Sequence, residues 1–230
     1  MHRVIVLDIT FEFSGVEDVI HPVVLQDEND TVLIDCGYIG FLPKIEASLL
    51  EGGIVPSTLT KVVITHHDHD HMGALADLKQ KYPYIQVLSG EGEASYINGS
   101  AKSLRLEQAE TMQELLSEEQ KPFGEAFCEL LRSVKNVKVD ELVSDGGRME
   151  WCGGCEIIST PGHTPGHISL YLPKHRTIIA GDAIVLEDGR PVIANPEYAI
   201  NKEQAELSLE KLLGYDADRI ICYHGGIYTR

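Results

Sequence analysis

The sequence is poor in cysteine, with five cysteines among its 230 residues. A disulfide framework requires paired cysteines, and five is both an odd number and a small one for a chain of this length. Disulfide bonds are rare in compartments where thiols are kept reduced. The cysteine content therefore favours a reducing compartment, and we expect a cytoplasmic protein.

Basic residues are also scarce. The chain has 19 lysines and arginines and 36 aspartates and glutamates, which gives a formal net charge of -17. Nucleic acids and anionic membranes bind proteins through clustered basic side chains. We therefore expect no nucleic-acid partner and no membrane partner. A small-molecule substrate remains as the expected partner.

Long hydrophobic runs are absent as well. The apolar run near the N-terminus extends only from Val4 to Leu7 and is broken by Asp8, so it predicts neither a secretory signal nor a membrane span. Hydrophobic residues nevertheless make up 43% of the chain, which is enough for a substantial core. Since no long linker divides the sequence, we expect one domain over residues 1–230.

The chain does contain short apolar strands that alternate with helical patterns. In the first half, strands are predicted at RVIVLDI, VIHPVVLQ, TVLIDCG, KVVIT and YIQVLS, with helices at FLPKIEASLLEGG and MGALADLKQKY. In the second half, strands are predicted at VKVDELV, RMEW, CEIIST, HISLYLP, RTIIAGD and RIICYH, with a helix at KEQAELSLEKLLG. This alternation predicts an α/β fold.

Residues 104–134 interrupt the strand-rich pattern. Apolar residues recur there at three- and four-residue spacing, with charged residues between them, which predicts two amphipathic helices. These helices form a possible insertion within the domain. Two interpretations stay open, a lid over a functional site and a pair of ordinary packing helices.

The most distinctive segment is ITHHDHDHMGAL, which places four histidines and two aspartates in positions 66–71. It follows the strand KVVIT directly, so we expect a loop at the end of a buried strand. Alternate side chains of an extended loop share one side, which leaves two possible sets, His66, Asp68 and Asp70 or His67, His69 and His71. So many imidazoles and carboxylates beside a buried strand require a compensating cation, which indicates a metal site.

Three later strands also end at potential metal ligands. STPGHTPGHISL carries His163 and His167, IIAGD ends at Asp182, and IICYHGG ends at His224. A single histidine or aspartate after a strand is more often a turn residue. The repetition of this arrangement predicts one convergent site.

In this order, TVLIDCG, ITHHDHDHMGAL, STPGHTPGH, IIAGD and YHGG resemble the motifs of the metallo-β-lactamase superfamily over nearly the whole chain. The resemblance implies an αββα sandwich of two mixed β-sheets flanked by helices, with a metal site at the strand ends. When the family pattern HxHxDH is aligned on Asp70 and His71, its first histidine falls on His66 and its second on Asp68. The chain therefore carries an HxDxDH variant of the motif.

Carried over residue by residue, the resemblance implies two divalent metal ions. The implied ligands are His66, Asp68 and His163 for one ion, Asp70, His71 and His224 for the other, and Asp182 as a bridge. Asp35 would support the site loop without binding metal. In this alignment His67, His69 and His167 are not ligands, and a register that uses His67 and His69 is the alternative.

Zinc is the expected metal, although the harder oxygen ligand at Asp68 makes manganese or iron possible. The resemblance implies hydrolysis of a small ester, lactone or thioester by a metal-bridging hydroxide, with Asp70 as the catalytic residue that orients it. Tyr96, Tyr198 or Tyr223 could donate a hydrogen bond to a substrate carbonyl, as a tyrosine does in some lactonases of this superfamily.

The sequence leaves two functions of other classes open. A mononuclear iron dioxygenase acting on a thiol or persulfide could use His66, His163 and Asp182 alone. A non-catalytic metal-binding protein is the other alternative, for which seven potential ligands would be more than required.

Overall fold

The structure is a computed structural model that describes residues 2–13 and 15–230. Within these residues, most strands belong to two six-stranded sheets. The strands that precede residue 145 are β1 Arg3–Val6, β2 Ile9–Phe13, β3 Val16–Ile20, β4 Val23–Gln26, β5 Thr31–Ile34, β6 Lys61–Ile64, β7 Gln86–Gly90 and β8 Glu141–Val143. The later strands are β9 Arg148–Met149, β10 Cys155–Ser159, β11 Ile168–Leu172, β12 Thr177–Ile179, β13 Val185–Glu187, β14 Arg190–Val192, β15 Arg219–Cys222 and β16 Gly226–Thr229.

The helices lie outside the sheets. They are α1 Leu42–Glu51, α2 His69–Met72, α3 Leu75–Lys81, α4 Ala94–Ile97, α5 Leu104–Leu115, α6 Lys121–Ser133 and α7 Lys202–Leu213. In the part of the chain that the structure describes, no helix is both long and apolar enough to cross a membrane.

Both sheets combine parallel and antiparallel pairs. The first has the order β1-β4-β5-β6-β7-β8, and β5 to β8 are parallel neighbours. The second has the order β16-β15-β12-β11-β10-β9, in which β12 and β15 are the parallel pair. Parallel neighbours bring their carboxyl ends to one edge of a sheet, so the segments that follow β6, β12 and β15 can meet.

Alternating side chains of the strands build the layers of the core. On β5, Val32 and Ile34 face the second sheet, while Leu33 between them packs with residues of α1 and α3. On β15, Ile221 faces the first sheet, and Ile220 packs with residues of α7. Strands that are buried on both faces read as continuous apolar runs, which explains TVLI and RIIC. The predicted αββα sandwich of two mixed sheets is confirmed.

Several details of the predicted elements are wrong. The segment VIHPVVLQ was expected to be one strand, but β3 ends at Ile20 and β4 begins at Val23, because Pro22 cannot donate a strand hydrogen bond. The hairpins β2–β3 and β13–β14 and the last strand β16 were not predicted. The β2–β3 hairpin was missed because most side chains of β3 are exposed, so they lack the apolar alternation of a half-buried strand.

The two helices predicted within residues 104–134 are present as α5 and α6. They lie in the connection between the parallel strands β7 and β8 and pack on each other through Ala109, Cys128 and Leu131. Their role as a lid stays a prediction.

Leu33 and Leu115 form a matched pair for testing this description of the core. Leu33 is fully buried, whereas Leu115 is 83% exposed at the end of α5. We expect Leu33→Ala to lower the free energy of unfolding by about 2–5 kcal/mol, because it leaves a cavity between sheet and helices. Leu115→Ala should change it by less than about 0.5 kcal/mol. Urea denaturation of both variants measures the difference, and equal effects would contradict the assigned layers.

Candidate metal centre

The histidine-rich segment is only partly a loop. After β6, residues 65–68 are extended or bent, and His69–Met72 then form the single turn α2, in which Met72 N donates to Asp68 O at 3.0 Å. The expectation of one extended loop is therefore wrong for the second half of the segment. The helical turn matters because it lets the consecutive residues Asp70 and His71 approach the same centre, whereas extended neighbours would point to opposite sides.

The structure brings all seven expected ligands together at the strand ends. His163 lies between β10 and β11, Asp182 follows β12, and His224 follows β15. Donor atoms within 4.8 Å of one another form three groups, which are His66, Asp68 and His163; His66, His71 and Asp182; and Asp70, His71 and His224. We call the first group site B and the last group site A.

Asp182 lies between the two sites and presents one carboxylate oxygen to each. Its Oδ1 is 3.2 Å from His71 Nε2 and 3.7 Å from His224 Nε2, while its Oδ2 is 3.6 Å from His163 Nε2. In site A, His224 Nε2 also lies 3.1 Å from Asp70 Oδ2. This arrangement fits a carboxylate that bridges two cations.

Some of these buried atoms lack hydrogen bonds. Among the described residues, His66 Nε2, His71 Nε2 and Asp182 Oδ1 find no partner in hydrogen-bond geometry. A buried polar atom without a partner costs free energy, so such atoms require an explanation. Imidazole nitrogens and carboxylate oxygens are the donors that zinc and similar divalent ions prefer. The residues present therefore fit a divalent metal centre.

Asp35 supports the segment in the expected way. Its carboxylate accepts hydrogen bonds from Thr65 N and from Thr65 Oγ1, both at 2.8 Å, and it lies 2.8 Å from His71 Nδ1. When Nδ1–H of His71 donates to Asp35, the lone pair on Nε2 is free to face the centre. Metal-binding histidines are commonly oriented by such a carboxylate.

The three remaining histidines of these motifs lie outside the donor groups, although His69 Nδ1 is 3.5 Å from Asp70 Oδ1 and has no hydrogen-bond partner among the described residues. His67 contacts Glu93, and both side chains are buried. His167 Nε2 accepts from Asp182 N at 3.0 Å, and its Nδ1 lies 2.8 Å from Thr160 Oγ1. His69 packs edge-on against the rings of Tyr38 and Phe127. Donor groups of His67, His69 and His167 are absent from the three groups formed by the described residues, which supports the register that begins at His66.

Glu93 is a residue of the site that the sequence did not reveal. Its carboxylate is fully buried and accepts hydrogen bonds from His67 N, Gly166 N and Thr164 Oγ1 at 2.8–2.9 Å. It thereby ties the segment after β6 to the loop that carries His163. An isolated glutamate in GEGEAS gives no sequence signal for this role, because its partners are distant in the chain.

Arg105 is a second unexpected residue. It lies in the first turn of α5, is only 5% exposed, and contacts Asp68 through Nη2–Oδ2 at 2.6 Å. Burial alone would raise the pKa of Asp68, but the Arg105 guanidinium, a hydrogen bond with His163 and the nearby imidazole of His66 hold it well below its usual value. Asp68 is therefore an ionised, buried carboxylate with a cationic partner from the helical segment.

The centre opens into a cleft of about 470 Å³. Its walls include Asp70, Arg105 and His224 together with apolar side chains from α6 and from the β13 region, which are Phe127, Leu130, Val185 and Leu186. The helical segment thus forms one wall of the cleft.

The tyrosines differ in their access to this cleft. Tyr223 is buried, and its hydroxyl donates to Asp70 O and accepts from Gly37 N, so it supports the backbone of the site. Tyr96 stacks on His67 and lines a different cavity. Tyr198 does line the cleft, and so does Tyr38, which was not among the expected residues. The interpretation of Tyr223 as a substrate-contacting residue is therefore not supported by its position.

Glu93 generates a stability prediction. Glu93→Ala removes the acceptor of two backbone amides and leaves His67 without its buried partner, so we expect the free energy of unfolding to fall by about 3 kcal/mol or more. Glu91→Ala, in the exposed turn two residues earlier, should change it by less than about 0.5 kcal/mol. Urea denaturation of the two alanine variants tests this, and similar stabilities would exclude Glu93 as the connection between the loops.

The chain is similar in sequence to several bacterial proteins. The uncharacterized protein YobT of Bacillus subtilis is 28% identical over 209 residues, which cover 87% of this chain and 81% of YobT. The hydroxyacylglutathione hydrolase of Bartonella henselae is 28% identical over 217 residues, covering 92% of this chain and 68% of that enzyme. The probable metallo-hydrolase YflN of Bacillus subtilis is 25% identical over 182 residues, covering 73% of this chain and 64% of YflN.

Solved structures share the fold. The metallo-beta-lactamase family protein TTHA1429 of Thermus thermophilus aligns with 98% of this chain and 74% of its own, with a TM-score of 0.75 and 20% identity. The archaeal protein ST1585 of Sulfolobus tokodaii aligns with 98% of this chain and 81% of its own, with a TM-score of 0.67 and 18% identity. A family model described as the metallo-beta-lactamase superfamily matches residues 16–224. The resemblance inferred from the motifs is confirmed, and the chain belongs to the metallo-beta-lactamase superfamily.

Proposed function

We propose that this protein is a metal-dependent hydrolase with a dinuclear centre, zinc in the first instance, that cleaves a small ester, lactone or thioester. The observation that carries the proposal is the convergence of seven donor side chains with Asp182 between two groups. The unpartnered atoms His66 Nε2, His71 Nε2 and Asp182 Oδ1 point to the same conclusion. The superfamily to which the chain belongs, and its relatives named as hydrolases, also support this chemistry.

Divalent ions bound by these ligands would supply an acidified water as the nucleophile and an electrophile for the acyl carbonyl. The protein side chains orient the reactants and hold the proton. Asp70 lines the cleft, and its Oδ2 is engaged by His224 Nε2 at 3.1 Å. We assign Asp70 Oδ1 as the atom that takes the proton of the attacking water, because His224 engages the other oxygen and His69 Nδ1, 3.5 Å from Oδ1, makes no hydrogen bond to it.

The charges around the cleft favour an uncharged acyl substrate. Among the described residues that line it, Arg105 is the only arginine or lysine, and its guanidinium is already paired with Asp68. Asp18 and Glu187 add negative charge to the rim. A carrier with several carboxylates would therefore meet repulsion that no free cation offsets. We propose a small neutral ester or lactone as the preferred substrate class.

Sequence relatives support the hydrolase chemistry and widen the substrates to be tested. The hydroxyacylglutathione hydrolase of Bartonella henselae, whose name denotes action on a thioester, is similar to this chain over 92% of the chain's length. Thioesters therefore belong in the same substrate panel as esters and lactones.

The metal centre can be tested by removing its ligands. We expect His71→Ala and Asp182→Ala to lose bound metal and to reduce hydrolysis by about 100-fold or more, because His71 belongs to two of the three donor groups and Asp182 lies between site A and site B. Elemental analysis of untagged protein purified without added metal measures the content, and we expect at least one and at most two zinc or manganese ions per folded wild-type chain.

His67→Gln is the matched control within the same segment. Because His67 contacts Glu93 rather than the centre, this variant should keep its metal content. Loss of a metal ion in His67→Gln would show that the register is shifted. About one iron per wild-type chain would instead support a mononuclear oxygenase and contradict the hydrolase.

The substrate proposal makes a separate prediction. Uncharged probes such as p-nitrophenyl butyrate and γ-butyrolactone should be hydrolysed with a kcat/KM about tenfold or more above that of S-lactoylglutathione, a difference of about 1.4 kcal/mol in transition-state binding. Removal of the metal with a chelator should abolish every activity. A clear preference for S-lactoylglutathione would overturn the proposed substrate class and leave the metal-dependent chemistry intact.

A further inference from the structure

Arg105 makes the two halves of the metal centre unequal. Its Nη2 lies 2.6 Å from Asp68 Oδ2 and 3.2 Å from His163 Nε2. These are two of the three donor atoms of site B, and they also lie within 3.0 Å of each other. One N–H group of the guanidinium therefore stands where a cation in site B would have to bind.

Site A has no comparable cation. Asp70 is in contact with the imidazoles of His69, His71 and His224, and no arginine or lysine in the described chain forms an ion pair with it. The nitrogen and oxygen donors of site A can therefore face a metal ion without competition from a fixed positive charge.

We propose that Arg105 is a built-in competitor for the metal ion of site B, so that site A fills first and site B fills weakly. This inference rests on the proposed metal centre. A divalent ion and a guanidinium a few ångströms apart in a buried site repel each other strongly. An ion in site B therefore displaces Arg105 Nη2 from Asp68 Oδ2 and His163 Nε2.

The surroundings of Arg105 couple this displacement to the helical segment. Its Nη1 donates to Tyr198 O at 2.6 Å and to Gln108 Oε1 at 2.5 Å, and the neighbouring Leu104 N donates to His67 Nε2 at 3.3 Å. Movement of the guanidinium therefore disturbs the start of α5 and its contact with the turn at Tyr198. Occupancy of site B and docking of α5 oppose each other.

Asp68 is the residue that makes this competition possible. A neutral imidazole at this position, as in the HxHxDH form of the motif, would not attract a buried guanidinium as a counter-charge. A carboxylate does, because a buried anion requires a cationic partner. Asp68 and Arg105 thus form an ion pair across the site. Through this pair, the segment at residues 104–134 controls how many metal ions the centre holds.

The test is a titration of metal-free protein with Zn²⁺ by isothermal calorimetry, with the stoichiometry checked by elemental analysis after equilibrium dialysis. We expect wild-type protein to bind one ion tightly and a second more weakly. Arg105→Gln should tighten binding of the second ion by about 5- to 150-fold, which is the range typical of coupling between two sites. The affinity for the first ion should not change. Arg105→Lys retains the charge and should keep the second step weak.

Arg132→Gln is the matched control, because Arg132 also belongs to the helical segment but pairs with Glu110 and Glu125 at the surface. Its two binding steps should equal those of wild-type protein. Weaker binding of the second ion in Arg105→Gln would overturn the proposal, since Arg105 would then position Asp68 for the metal. Two equal wild-type steps that Arg105→Gln leaves unchanged would overturn it as well.

A measurement on wild-type protein alone covers the case in which the Arg105 variants fail to fold. The second equivalent of Zn²⁺, but not the first, should increase amide hydrogen exchange at the start of α5, residues 104–108. Unchanged or reduced exchange there would overturn the competition while leaving the metal centre in place. Absence of any zinc binding by wild-type protein would instead overturn the proposed function, and this inference with it.

Discussion

The structure depends on one electrostatic constraint, which is the concentration of buried carboxylates at the ends of several strands. Asp68 and Asp182 are buried and Asp70 is half-buried in adjoining donor groups, and burial of unpaired anions is costly. Imidazoles and one guanidinium offset part of this charge in the protein alone. Divalent cations would offset the remainder, and the unpartnered atoms His71 Nε2 and Asp182 Oδ1 mark where they would bind.

The sandwich holds these groups in place because they come from the ends of several buried strands. Residues after β6, β12 and β15 meet at one edge of the two sheets, and hydrogen bonds inside the protein fix their orientation. Asp35 orients His71 from the first sheet, and Glu93 connects the segment after β6 to the loop of His163. Such supporting contacts determine the geometry of a metal centre as much as the ligands do.

The helical segment between β7 and β8 adds what the two sheets lack. It supplies the apolar wall formed by Phe127 and Leu130, and it contributes the buried cation Arg105. The same segment therefore shapes the cleft and compensates Asp68. In the proposed metal centre, this double role would link the shape of the cleft, metal occupancy and the docking of α5.

The sequence by itself determined the fold class, because apolar strand runs and helical spacings are local patterns, and the resemblance of its motifs gave the family and implied the seven candidate ligands. It also indicated that residues 104–134 form two helices. The tertiary structure decided which histidines of the segment face the centre, through the helical turn at His69–Met72. It alone revealed Glu93 and Arg105, since each acts on partners that are distant in the chain. Contacts of this kind depend on chain folding, and no local spacing of residues encodes them.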